Sequence, residues 1–116
     1  MKKLILLISL ASATAVGPAA MAAESSACHF HGSKPATESV VVNCAMDRKQ
    51  TLVKQGKLDS SWAQIKQDEV LIVDGKKGKE WRLTFKNPAV PDSEKQILYM
   101  FYSLPGNFIA ANYTGN

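Results

Sequence analysis

This chain of 116 residues holds only two cysteines and two histidines, and its formal net charge is a modest +4. Apart from one apolar run near its start, it has no stretch suited to crossing a bilayer, which excludes a multi-span membrane protein. It lacks a basic stripe with interleaved aromatics, so nucleic acid is not an expected partner. No internal repeat, low-complexity tract or collagen-like period is present, and a hydrophobic share of 46% is too high for a disordered tail. The length leaves room for one ordinary domain.

The first 22 residues read as a leader. Lys2 and Lys3 form a charged n-region, and Leu4 to Val16 is apolar apart from small hydroxyl residues. Ala20-Met21-Ala22 then places small residues at −3 and −1. The expectation is a cleaved signal peptide, export to the periplasm and no transmembrane anchor in the mature form. Cleavage before Ala23 leaves 94 of the 116 residues and removes two lysines, taking the charge from +4 to +2. Lipid attachment at Cys28 is disfavoured, because Ser25 stands where a lipoprotein signal has a large aliphatic residue and Glu24 separates the cysteine from the apolar run.

Residues 23–36 are small and polar and read as an extended arm carrying Cys28, His29 and His31. Thr37 is an N-cap candidate with Glu38 in the first turn of a helix. Val41, Cys44, Ala45, Arg48 and Leu52 recur at spacings of three and four, and Gly56 suits the C′ position. Val40-Val41-Val42 is β-branched, which leaves the start of the helix open by a turn. Asp59-Ser60-Ser61-Trp62 looks like a capped short helical turn with Trp62 as an anchor.

Four strands are expected after it. Val70 to Val73 is a short apolar run, and Asp74 to Gly78 is a glycine-bearing turn. Trp81, Leu83 and Phe85 alternate with Arg82, Thr84 and Lys86. Ile97 to Tyr102 is apolar on both faces, as in a central strand. Leu104-Pro105-Gly106-Asn107 has the central residues of a type II turn, and Phe108 to Tyr113 completes the set. The fold class expected over residues 37–116 is α+β: one main helix, then a four-strand antiparallel meander whose apolar face the helix covers.

This order resembles the small PepSY-like domains of bacterial envelope proteins. The resemblance rests on Leu58-Asp59-Ser60-Ser61-Trp62, on Glu80 to Phe85, on Leu98-Tyr99-Met100-Phe101, on Gly106 and on Ile109 to Gly115. It covers residues 36–115, and its motifs are strand and turn patterns without a catalytic signature. It implies a non-enzymatic binding or inhibitory module outside the cytoplasm, with an envelope protein or peptide as partner. The cysteine-and-histidine arm is not part of the general PepSY pattern.

The soft ligands are concentrated between residues 28 and 46. One reading is a Cys28–Cys44 disulfide that pins the arm across the helix, which an oxidising compartment favours. The other is a copper or zinc site in which Cys28, His29 and His31 act with Cys44, or with Met46 completing the set. No paired-carboxylate spacing distinguishes itself, and Ser60 and Ser61 read as helix-cap residues rather than nucleophiles. Lys76, Lys77 and Lys79 form a basic hairpin tip. Tyr99, Phe101, Tyr102, Phe108 and Tyr113 read as sheet packing, without assignment to a face. An enzyme is not expected, because no nucleophile–base pair can be assembled without the two arm histidines.

Overall fold

The computed structural model describes residues 28–116. The expected leader, residues 1–22, and the first residues of the arm lie outside them. Helix α1 spans Glu38–Lys54, and Thr37 caps it by accepting from the Val40 N–H. The valine run does not delay the helix. Val41 is fully buried and Val40 and Val42 pack against the core, so tertiary burial outweighs weak local propensity. At the other end Gly56 takes φ +76°, and the Lys57 and Leu58 amides both donate to the Leu52 carbonyl.

The buried stripe of α1 is Val41, Cys44, Ala45 and Lys49. Its lower part differs from the expected face. Arg48 lies outside, its guanidinium 3.7 Å from the centre of the Phe108 ring, while Lys49 is 0% exposed. Arginine keeps its charge at the surface by stacking on an aromatic. Lysine at 49 finds carbonyl acceptors inside: its Nζ donates to the carbonyls of Trp62, at 2.6 Å, and Ala63, at 3.4 Å. Both belong to the 3-10 helix Ser60–Gln64, which Asp59 caps and which buries Trp62 as the sequence predicts.

The sheet runs β1 (Gln67–Gly75), β2 (Gly78–Lys86), β3 (Ile97–Ser103) and β4 (Phe108–Asn112). All neighbours are antiparallel and the spatial order is β1-β2-β3-β4, a meander. The α+β arrangement of one main helix followed by this sheet is therefore what the alternation predicts. β1 is longer than its apolar centre, because pairing with β2 continues to Gly75↔Gly78. Shifts of register occur at Gln67/Glu69 and at Phe101/Tyr102.

Parity decides the faces. Trp81, Leu83 and Phe85 of β2 join Leu98, Met100 and Tyr102 of β3 and the inner stripe of α1 in one core. Arg82, Thr84, Tyr99 and Phe101 occupy the opposite face. The expected type II turn shifts by one residue. The Gly106 N–H donates to the Ser103 carbonyl, so Leu104 and Pro105 are central and Gly106 closes the turn at φ +109°. A Cβ on Gly106 would stand 3.0 Å from the Phe30 ring, so glycine there serves the arm as well as the turn.

Candidate functional site

The arm is fastened at three places. Cys28 and Cys44 form a disulfide with Cα atoms 5.8 Å apart. Asn107 Oδ1 accepts from the Phe30 N–H at 2.7 Å, and its Nδ2 donates to the Phe30 carbonyl at 2.8 Å. The Ala36 N–H donates to the Leu104 carbonyl at 2.7 Å, an oxygen that also accepts from Trp81 Nε1. The β3–β4 turn, Ser103 to Asn107, is thus the dock for the arm. The segment is a strap tied to both layers of the fold.

Of the expected metal set, the structure forms two separate pairs, the Cys28–Cys44 disulfide and the His29–His31 ring contact. Both sulfurs are joined, so neither is a thiolate, and a Cys28, His29, His31 and Cys44 ligand set reduces to two imidazoles. His29 and His31 remain exposed, and their rings meet edge to face with centroids 4.9 Å apart. Met46 packs against the hydrophobic core. Among the described residues no group of three or more histidine, cysteine, aspartate or glutamate side chains is placed to hold a metal ion.

A second feature lies at the free edge of the sheet. β1 is an outer strand, and no strand pairs with its far side among the described residues. Leu71 is 39% exposed and Ile72 51% exposed. Ile72 pairs with Trp81 and so has the parity of the covered face, yet the helix leaves it in solvent. Charged side chains flank this apolar centre. Asp68 faces Lys86 at 3.4 Å, and Asp74 pairs with Lys79 at 2.7 Å. The Lys79 partnership, by hydrogen bond and charge, lowers the carboxyl pKa of Asp74. The basic tip at Lys76 and Lys77 is exposed, as expected.

An open cleft of about 440 Å³ lies between the 3-10 helix, the loop after β2 and the C-terminal segment, with Trp62, Val90 and Tyr113 in its wall and Asp59 and Lys95 among its polar groups. Asp59 has its pKa lowered by hydrogen bonding with Ser61. Ser61 is committed structurally: its N–H donates to Asp59, and its Oγ accepts from Asn87 Nδ2 at 2.9 Å. The cap is Asp59 rather than the expected Ser60 or Ser61, which are the first residues of the 3-10 helix itself.

A model described as a family of unknown function, DUF6488, matches residues 1–116. The chain belongs to the DUF6488 family. That membership embraces the strap, the helix and the whole meander. No curated protein and no solved structure matches the chain. No helix among the described residues is long and apolar enough to cross a membrane.

Two residues important to the arrangement escape a linear reading. Asn107 looks like turn chemistry, and its clamp on Phe30 spans 77 positions. Lys49 looks like an ordinary exposed helix lysine. Its only sequence signal is its place four residues after Ala45, on the buried stripe.

Proposed function

We propose that this member of the DUF6488 family is an exported, non-enzymatic binding module of the periplasm, with a PepSY-like relationship, that takes an extended segment of an envelope protein along the free edge of β1. The observation that carries this reading is the exposure of Leu71 and Ile72, 39% and 51%, at the centre of an edge strand with no pairing strand among the described residues. An unpaired edge offers backbone donors and acceptors in register, and alternate side chains offer specificity. Edges of this kind are ordinarily blunted by charge, and here the charged residues stand at the two ends of β1 rather than at its centre. The Cys28–Cys44 disulfide supports an oxidising compartment. The exposed histidines against each other on the strap and the structural commitment of Ser61 support a binding role over catalysis.

Photo-crosslinking in intact cells tests the proposal. A crosslinking residue at Leu71 or Ile72 is expected to give a discrete adduct with an envelope protein, and the same residue at Asn43 on the exposed face of α1 is not. Leu71→Lys with Ile72→Lys should abolish the adduct formed from position 73 while the protein stays folded, with a melting temperature lowered by no more than about 4–8 °C, since surface changes cost about 0.5 kcal/mol each. Equal labelling from the helix and the edge would sink the edge assignment.

A further inference from the structure

Phe30 is the fixed point of the strap. Its two backbone groups are held by Asn107, and its ring lies against Gly106. His29 and His31 flank it in sequence and remain in solvent, and the contact between their rings puts both imidazoles on one side of the backbone. Residues i and i+2 of an extended segment share a side in this way, while the residue between them points elsewhere. The inward ring therefore sets the direction of the outward pair.

The two rings are close enough to reach a single ion. Two imidazoles whose nitrogens each bind one zinc or copper at about 2.0–2.1 Å hold their ring centroids roughly 4.5–5 Å apart. The observed separation is 4.9 Å with the rings edge to face. The pair is within reach of one ion once one exposed imidazole rotates about its side-chain bonds to turn its nitrogen towards the other. We propose that His29 and His31 form an open two-imidazole site for cupric copper, built on the strap by the Cys28–Cys44 disulfide and the Asn107 clamp.

The choice of metal follows from the donors. With both sulfurs in the disulfide, the soft thiolates that would select cuprous copper are gone. Two nitrogen donors with solvent in the remaining positions suit the tetragonal geometry of Cu(II), which also stands above zinc in the affinity order for nitrogen ligands. The disulfide then acts as a scaffold. It holds the strap so that binding does not have to order a free tail, which is how preorganisation raises affinity. This inference is independent of the β1 edge, since no residue of the edge takes part in it.

The test uses the purified chain with its disulfide intact and no affinity tag, titrated with copper(II) sulfate and followed by calorimetry and electron paramagnetic resonance. One copper per chain is expected, with hyperfine structure from two imidazole nitrogens. His29→Ala and His31→Ala should each weaken binding by about tenfold or more, the range seen when a metal site loses a supporting or coordinating group. Asn107→Ala keeps both imidazoles and frees the strap, and should weaken binding several-fold. Thermal melting separates these effects from unfolding, and the exposed histidine variants should melt with the parent protein. Copper retained by the double histidine variant, an unchanged affinity in Asn107→Ala, or tighter binding of zinc sulfate than of copper would each overturn the proposal.

Discussion

The side chain of Asn107 closes on both backbone groups of Phe30, accepting from its N–H at 2.7 Å and donating to its carbonyl at 2.8 Å. Only a primary amide offers a donor and an acceptor at that separation. Asn107→Ala should destabilise the protein by about 1–3 kcal/mol, because the Phe30 groups lose partners in a half-buried position. Asn107→Asp should also fall short, since it retains the acceptor and loses the donor. Urea denaturation measures the cost, and early hydrogen exchange at the Phe30 amide locates it.

The disulfide closes a loop between positions 16 residues apart. In the chain-entropy account a loop of that size contributes about 3 kcal/mol. Cys28→Ser with Cys44→Ser should therefore lower the denaturation midpoint by the corresponding amount while the sheet persists. Circular dichroism with and without reductant checks both halves of the statement; a full loss of strand signal would show that the strap is required for folding.

Lys49 is 0% exposed, and desolvation lowers its pKa from the ordinary lysine value. Its two acceptors have other donors. Trp62 O also accepts from the Ile65 N–H, and Ala63 O from Gln50 Nε2 at 2.8 Å. Lys49→Met, of similar length, should therefore be neutral or stabilising by about 1 kcal/mol at neutral pH. Lys49→Ala leaves a cavity and should cost about 2–4 kcal/mol. Between the lowered folded pKa and the unfolded value of 10.5, the unfolded chain binds the proton more tightly, so stability rises with pH across that window. Stability curves at successive pH values should show that rise in the parent protein and lose it in Lys49→Met.

Tyr102 is buried, and its hydroxyl makes no hydrogen bond of good geometry among the described residues, the Arg48 guanidinium being close enough only for a weak polar interaction. Burial pushes its pKa up to about 12, the nearby Arg48 charge opposing the shift. Tyr102→Phe should raise stability by about 1 kcal/mol, since it removes a desolvated hydroxyl and keeps the ring contact with Phe108. From pH 10 upward the unfolded chain gives up the phenolic proton first, so this residue's contribution to stability falls as pH climbs towards 12. The variant should lose less stability over that interval than the parent protein. Equilibrium denaturation at pH 7, 9 and 10.5 measures both effects.

Local chemistry made the elements legible. Thr37 and Gly56 bracket the helix, and the alternation of Trp81, Leu83 and Phe85 declares both a strand and its buried side. Each signal acts within a few residues, through a cap, a turn or a two-residue period. The end of the turn at Gly106 was less legible, because its position answers to the Phe30 ring as well as to the backbone of the hairpin. Arg48 and Lys49 were exchanged for the same kind of reason. Nothing next to them in the chain reveals that Phe108 waits outside the helix and the Trp62 carbonyl inside it.

By itself the sequence determined one helix, four strands, and a short stretch holding every cysteine and histidine in the protein. Tertiary structure decided what that stretch is. It joined Cys28 to Cys44, set Asn107 on Phe30, and left two imidazoles facing each other in solvent. It also decided that the apolar centre of β1 lies at an open edge. Helices and strands follow from interactions between near neighbours, whereas a clamp or an uncovered edge depends on which distant segments arrive at the same place.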